Sequence, residues 1–134
     1  MNQADFEAFV AKLPNVERED NFGYAFFFVG SDHRLPFVSF AAADNAYDAV
    51  SQLDRAGIFR INIGVSKASF QALVGESSNR DYTAVNTFLP HPQYAARNFI
   101  CILNPEGPNV QKTKTLIEEA HALASRQAEK TNKH

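Results

Sequence analysis

The sequence predicts an α+β fold, a two-layer domain in which N-terminal, middle and C-terminal helices pack on an antiparallel sheet. Three observations support this prediction. Apolar residues recur at helical spacing near both ends, short apolar segments lie between turn-forming residues, and one central segment alternates strictly. Short turns favour antiparallel strands, and helices at both ends can cover one sheet face. The 134 residues fit one domain, which we expect over residues 1–126 with a flexible tail at 127–134.

The first half of the chain is predicted to contain one helix and two strands. The helix covers residues 3–12, and an acidic connection follows at 17–21. The buried face of this helix would consist of Phe6, Phe9, Val10 and Leu13. Residues 24–29 are rich in aromatic side chains, which predicts a strand, and 35–42 is its expected return strand. Residues 44–54 are ambiguous and favour a loop with a short helical turn.

The second half is predicted to contain two clear strands, one weak strand and two helices. Residues 59–65 alternate between apolar and other side chains, which is typical of a strand. Ser66 is the expected N-cap of a helix that follows at once. A weak strand is predicted at 82–88, and the fully apolar 99–103 predicts a strand covered on both faces. The last helix is expected over 110–126.

The predicted strand at 24–29 carries apolar side chains on both faces. Alternation places Phe26 and Phe28 on one face and Phe27 and Val29 on the other. If helices cover one face only, the other needs a long loop or a second subunit as its cover. The second possibility leads to the hypothesis of a homodimer.

Charge and cysteine content narrow the classes of partner and compartment. Thirteen Lys and Arg against fifteen Asp and Glu give a net charge of −2, without a run of basic residues. Binding to the phosphates of nucleic acid needs clustered basic residues, so this function is disfavoured. The one cysteine, Cys101, allows no intrachain disulfide. We find neither a signal peptide pattern nor an apolar run of the length that a membrane span needs, and we expect a cytoplasmic protein.

Sequence motifs for the common catalytic and cofactor sites are missing. The glycines do not form a phosphate-binding loop, and there is no nucleophile elbow. His33, His91, His121 and Cys101 lack paired metal-ligand spacing. We therefore expect no metal and no cofactor. Because Cys101 lies between two isoleucines, we expect it to be a buried core residue rather than a nucleophile.

Three segments together resemble a family of small bacterial proteins that carries only a "domain of unknown function" label. They are residues 53–65 (LDRAGIFRINIGV), 89–95 (LPHPQYA) and 103–105 (LNP). The resemblance covers nearly the whole chain and implies no activity. More loosely, the layout is similar to the MmcQ/YjbR-like proteins, which implies the same α+β fold class. The chain departs from them at Phe99, where those proteins have Trp.

The candidate ligand-binding residues are Asp54, Arg55, Arg60, Asn62 and His91. Arg60 and Asn62 are two positions apart in a predicted strand, so they share a face at about 7 Å. Two arginines can bind a carboxylate or phosphate through paired hydrogen bonds, and histidine can act as a base near neutral pH. The alternative is structural: capping or local pairing by Asp54 and Arg55, a solvated sheet face that carries Arg60 and Asn62, and a histidine that stabilises a proline-flanked turn.

Three functions follow from these observations. The leading hypothesis is a non-enzymatic domain that binds a partner protein or associates with itself, because catalytic motifs are missing and apolar strand surface is in excess. The second is a binder of, or enzyme for, a small anionic ligand, using Arg55, Arg60 and His91. The third, nucleic-acid binding, is disfavoured by the net acidic charge.

Overall fold

The computed structural model describes residues 1–75 and 80–131 of the chain. The helices are α1 (Gln3–Ala11), α2 (Lys67–Val74) and α3 (Pro108–Thr131). The strands are β1 (Val16–Asn21), β2 (Tyr24–Val29), β3 (Val38–Ala41), β4 (Arg60–Gly64), β5 (Leu89–Pro90) and β6 (Phe99–Leu103). A single turn of 3-10 helix over Ala95–Arg97 leads into β6.

The described strands form one antiparallel sheet in the order β1-β2-β3-β4-β6-β5. Strands β1 to β4 follow one another in space as they do in the chain. Strand β6 then lies between β4 and β5, so the last strand in sequence occupies an inner position of the sheet. With one helix before the sheet, one in its middle and one after it, this arrangement confirms the predicted α+β fold.

One face of the sheet packs against the helices and forms the main hydrophobic core. The sheet contributes Phe27, Phe40, Ile61, Ile63, Ile100 and Ile102. Against them lie Phe6 and Val10 of α1, Val74 of α2, and Leu116, Ile117 and Ala120 of α3. Each fully buried side chain of this size stabilises the fold by roughly 1.5–3 kcal/mol.

The opposite face is covered by long loops of the same chain, and we call it the loop-covered face. Leu53, from the loop before β4, packs on Ala41 and Leu103. Asp48 of that loop bonds to Arg60 on β4. A long loop and a second subunit were the two alternative covers expected for the apolar strand surface, and the structure shows the loop. The homodimer stays a prediction, although the need for a second cover no longer supports it.

Strand β1 corrects the expectation of an acidic connection at residues 17–21. Its six residues pair along their whole length with β2, from Val16 opposite Val29 to Asn21 opposite Tyr24. Five of the six are exposed, because β1 is an edge strand whose charged side chains face water. Charges on an edge strand discourage pairing with another sheet. Because almost all of its side chains are charged or polar, β1 lacks the apolar alternation by which a strand is predicted.

The predicted weak strand at 82–88 and the short helical turn within 44–54 are both wrong. Only Val85 of the first segment makes a bridge, to Leu103, and Asn86 then takes a positive φ of 53° that ends any extended run. The second segment consists of turns around a bridge between Asn45 and Asp48. The return strand predicted over 35–42 is shorter, at Val38–Ala41.

The helix ends are partly as predicted. The Ser66 side chain caps α2 by accepting a hydrogen bond from the Ser69 amide at 3.1 Å, which confirms it as N-cap. Helix α3 begins at Pro108, where a first-turn proline loses no hydrogen bond, and it continues past the predicted end at residue 126 to Thr131. The rest of the predicted tail, residues 132–134, lies outside the described residues, as do residues 76–79 of a predicted polar loop. None of the described helices has both the length and the apolar character needed to cross a membrane.

Candidate functional site

The five predicted site residues lie in two separate places. Arg60 and Asn62 are on β4 at the loop-covered face, and His91 directly follows β5. Asp54 and Arg55 are in the loop before β4 and line an open groove beside α1. The structure therefore brings together three of the five and separates the two arginines that were expected to bind one anion.

Asp54 and Arg55 hold their loop together. The Asp54 carboxylate accepts a hydrogen bond from the Asp44 amide at 3.1 Å. Arg55 donates to the carbonyl of Ser51 at 3.0 Å and to that of Thr83, in the next long loop, at 3.2 Å. These bonds favour the structural alternative for both residues.

Arg60 is fully buried, and all three of its guanidinium nitrogens donate to neighbouring side chains. Nη1 donates to Asp48 Oδ1 at 3.1 Å and to Ser51 Oγ at 3.0 Å, Nη2 donates to Asp48 Oδ2, and Nε donates to Asn62 Oδ1 at 2.9 Å. Asn62 in turn donates to Ser39 Oγ at 3.1 Å. A buried charge needs such partners. All three guanidinium nitrogens of Arg60 are therefore engaged inside the protein, which does not favour the expected role of Arg60 in binding an external anion.

The carboxylate of Asp48 is the acceptor at the centre of this network. Burial alone would raise the pKa of Asp48, but hydrogen bonds from Arg60 and Tyr24 outweigh it and hold the pKa below its ordinary value. The Tyr24 hydroxyl donates to Asp48 Oδ2 at 2.6 Å. Burial and this carboxylate both raise the pKa of Tyr24. We call the linked side chains of Tyr24, Asp48, Arg60, Asn62 and Ser39 the polar network.

His91 is buried beside the polar network and is neutral at ordinary pH. Burial, followed by the charge of Arg60, lowers the pKa of His91 to about 4. Its Nδ1 atom accepts hydrogen bonds from the amides of Gln93 and Tyr94, both at 3.0 Å. An accepting Nδ1 places the proton of the neutral ring on Nε2. His91 is thus a hydrogen-bond donor through Nε2, and the expectation of a base that works near neutral pH is wrong.

A pocket of about 450 Å³ lies on the loop-covered face, with part of the polar network as its floor. Phe26, Ser39, Asn62 and Cys101 form one lateral row across β2, β3, β4 and β6. Neighbouring strands are about 4.8 Å apart, so the outer members of this row are separated by about 14 Å. Ser39 and Asn62, the short polar side chains, occupy the middle of the row and leave space above them.

Aromatic side chains form the two walls of this pocket. On the β2 side, the rings of Tyr24 and Phe26 stack with their centroids 5.2 Å apart. On the β6 side, the His91 ring lies 5.1 Å from that of Tyr94 and 6.3 Å from that of Phe99. We call this space, with its polar floor and two walls, the aromatic pocket.

The mouth of the aromatic pocket carries exposed aromatic and cationic side chains. Phe22 is 73% exposed, Tyr47 is 85% exposed and Tyr94 is 50% exposed. Two arginines also line the pocket. Arg34 forms an ion pair with Asp32 at 2.7 Å, whereas the guanidinium of Arg97 makes no hydrogen bond or ion pair within residues 1–75 and 80–131.

Comparison with known protein families decides where the chain belongs. A family model matches residues 1–133, which is nearly the whole chain. The chain belongs to DUF6194, a family of unknown function. No curated protein and no solved structure matches it. This membership confirms the resemblance to a domain of unknown function, while the looser similarity to MmcQ/YjbR-like proteins and the bacterial origin stay predictions.

In this DUF6194 protein, two of the segments that carried the resemblance are joined by Asn104. Its Oδ1 accepts a hydrogen bond from the Phe59 amide at 2.9 Å, and its Nδ2 donates to the Gly57 carbonyl at 2.8 Å. Asn104 has a positive φ of 44°, a conformation that asparagine tolerates better than most residues. The LNP segment therefore fixes the start of β4, which positions Arg60.

The cysteine and the acidic residues of the DUF6194 chain give no metal or nucleophile site among the described residues. No group of three or more His, Cys, Asp or Glu side chains in that part of the chain could hold a metal ion. Cys101 is buried, and burial raises the pKa of its thiol to about 12. Such a thiol stays protonated and is a poor nucleophile.

Several pocket residues were not predicted from sequence. Asp48 and Tyr47 lie in an irregular loop with no periodicity to orient them, and Arg97 lies in a single 3-10 turn. Tyr24 was placed in a strand, but nothing in its own segment indicates a bond to a residue in the next long loop. The alternation in β4 was the useful signal, since it put Arg60 and Asn62 on one face.

Proposed function

We propose that this DUF6194 protein binds a small molecule in the aromatic pocket. The observation that carries the proposal is a pocket of about 450 Å³ whose polar floor lies between two aromatic walls. Ligand sites commonly have this volume, a mainly apolar lining and a few polar groups that orient the ligand. This proposal keeps the small-ligand hypothesis but moves it from Arg55 and Arg60 to a different set of side chains.

Binding fits the described part of the pocket better than catalysis does. A general acid or base works best with a pKa near the working pH. Burial holds the pKa of His91 at about 4, and it holds the pKa of Cys101 at about 12. Neither group exchanges a proton readily near neutral pH, so we propose that the ligand is held rather than converted.

A fragment screen followed by amide NMR spectra of isotope-labelled protein tests this function. We expect ring-containing fragments to shift the amides of Phe26, Ser39, Asn62 and Tyr94. Replacing the wall residue in Tyr94→Ala should weaken those fragments, whereas Val85→Ala, an exposed residue outside the pocket, should not. Hits that cluster instead in the groove of Asp54 and Arg55, or no hits at all, contradict the proposal.

Self-association is a second proposal, favoured by the apolar mouth of the same pocket. Of the large hydrophobic side chains exposed among the described residues, Phe22, Leu35, Tyr47 and Tyr94 all line it. Such clustering on a surface is typical of an interaction site, and a second copy of the chain is the occupant we propose. Light scattering should give a dimer mass that Phe22→Ser reduces to the monomer mass. A monomer in the wild type contradicts the proposal.

We also propose that the protein is cytoplasmic. Cys101 is a buried free thiol, and a reducing compartment preserves free thiols. A tagged chain should fractionate with cytoplasmic marker proteins, and its recovery outside that fraction contradicts the proposal.

A further inference from the structure

The floor of the aromatic pocket and its β6-side wall have hydrogen-bond donors left over after their internal bonds are made. Ser39 Oγ accepts from Asn62, but its own hydroxyl hydrogen has no acceptor among the described residues. His91 uses Nδ1 for two backbone amides, which leaves its Nε2 proton for another partner. A ligand atom that rests on this floor should therefore be an acceptor, such as a carbonyl or phenolic oxygen.

Among the residues that the structure describes, the mouth of the pocket has one positive charge without a partner. The charges of Asp48 and Arg60 offset each other in the network, and Arg34 is paired with Asp32. Arg97 is exposed at the mouth and has no such partner in the described part of the chain. A guanidinium group in this state favours a carboxylate, which it can bind through two parallel hydrogen bonds.

The walls favour a flat ring between the floor and the mouth. Aromatic rings attract one another in stacked and edge-on arrangements. The Tyr24–Phe26 stack and the His91–Tyr94 pair offer such faces on both sides of the pocket. The space of about 450 Å³ accommodates a ring with substituents at both ends.

Building on the proposed binding function, we infer that the ligand is an aromatic carboxylate with an oxygen acceptor at the opposite end of its ring. The carboxylate binds Arg97 at the mouth. The ring lies between the two aromatic walls. The far oxygen accepts hydrogen bonds from Ser39 on the floor and from His91 in the β6-side wall.

Calorimetry and amide NMR with two matched probes test this inference. The probes are para-hydroxybenzoate and its uncharged isostere para-hydroxybenzamide. We expect the carboxylate to bind more tightly than the amide. Arg97→Gln should weaken the carboxylate by about fivefold, as expected for a partly exposed ion pair, and leave the amide unchanged. Arg126→Gln removes the same charge from an exposed arginine that does not line the pocket, so it should change neither affinity by more than about twofold.

The floor has its own test with benzoate, which lacks the far oxygen. Ser39→Ala should weaken para-hydroxybenzoate by about fivefold, as one lost hydrogen bond of about 1 kcal/mol does, and leave benzoate unchanged. Equal losses for both probes would show that the variant had altered the pocket as a whole and would overturn the assignment of the floor.

The outcomes separate this inference from the proposed function. If acid and amide bind the pocket equally and Arg97→Gln has no effect, the inference is overturned and the binding function stands. The same holds if neither probe binds while other fragments shift the pocket amides. If no compound of the fragment screen binds the pocket, both are overturned.

Discussion

At the scale of single residues, the loop-covered face contains a buried arginine paired with a buried aspartate. Arg60 and Asp48 are both almost free of solvent contact, and they neutralise each other inside the loop-covered face. Removing one partner of a buried pair leaves the other charge without compensation. We expect Arg60→Met to lower the free energy of unfolding by about 3–5 kcal/mol in urea titrations.

Two further variants show whether the loss comes from the unpaired Asp48. Replacing both charges, in Arg60→Met with Asp48→Leu, should recover most of the lost stability, because apolar substitutes remove the uncompensated carboxylate. Arg34→Met breaks an exposed ion pair and should cost less than about 1 kcal/mol. Equal effects of Arg60→Met and Arg34→Met would be inconsistent with this role of Arg60.

The buried imidazole of His91 makes stability depend on pH. Burial and the Arg60 charge lower its pKa from 6.5 to about 4 in the folded chain, so the unfolded chain takes up the proton first as the pH falls. This contribution is fully present above pH 6.5 and is lost as the pH falls to about 4. We expect the free energy of unfolding to fall by about 3 kcal/mol over this range and His91→Gln to flatten the profile.

His33 provides a control, because its contribution to stability changes with pH in the opposite direction to that of His91. Its half-buried ring loses some solvation, which lowers its pKa, but hydrogen bonds to Glu17 and Glu19 outweigh this loss and raise the pKa. The stability that it contributes is present below the ordinary pKa of 6.5 and is lost as the pH rises through the raised value. His33→Gln should therefore leave the acid-side slope in place. A slope that disappears in His33→Gln rather than His91→Gln contradicts the assignment.

Part of the site could be predicted from residue patterns and part could not. Strand alternation predicts that Arg60 and Asn62 share a face, and they are hydrogen-bonded to each other at 2.9 Å. Arg55 is close to Arg60 in sequence, but the chain turns at Gly57, with a φ of +77°, and carries Arg55 to another groove. Asp48 depends on how a loop folds back on the sheet, which no local pattern records.

At the scale of elements, the contact between β4 and β6 requires a glycine. Gly64 pairs with Phe99, and a Cβ atom on Gly64 would lie 2.8 Å from Cζ of the Phe99 ring. Phe99 also lines the aromatic pocket. We expect Gly64→Ala to displace this ring and to lower the free energy of unfolding by about 1–3 kcal/mol.

A double-mutant cycle with Phe99→Leu tests the cause of that loss. If the ring is the obstacle, Gly64→Ala should cost less in the Phe99→Leu background than in the wild type. Strictly additive losses would assign the effect to the backbone of β4 instead.

Elements with one strongly buried face were predicted more accurately than those at the edges. Helix α1 and strand β4 carry apolar residues at regular spacing because each packs on the core, and β6 is apolar throughout because it is buried on both faces. Strand β1 is held by pairing with β2 and has almost no buried side chains, so its sequence resembles a charged loop. Backbone hydrogen bonds do not affect the hydropathy pattern of the side chains, so the sequence pattern did not predict this strand.

At the scale of the whole molecule, the sheet has two unlike covers. Helices pack on one face with a large apolar core, whereas loops close the other through a few polar anchors, such as the bond from the Leu53 amide to Asp44. Segments with few apolar contacts open at lower free energy than core strands do.

Hydrogen exchange should therefore resolve two levels of stability. We expect the amides of Asp44 and Leu53 to exchange through an opening that costs less than global unfolding, and those of Ile61 and Ile100 to exchange through global unfolding. A ligand in the aromatic pocket should slow the first group most. Equal opening free energies for both groups would mean that loops and sheet unfold as one unit.

The inner position of β6 has a consequence for synthesis of the chain. Ribosomes deliver β1 to β4 first, and these strands can pair as soon as they emerge. The far edge of β4, with Ile61 and Ile63, then has no strand to pair with until Phe99–Leu103 follows. During that interval the nascent chain displays an apolar, unpaired strand edge, the feature through which unfinished chains aggregate. Chaperone protection would matter most at this stage.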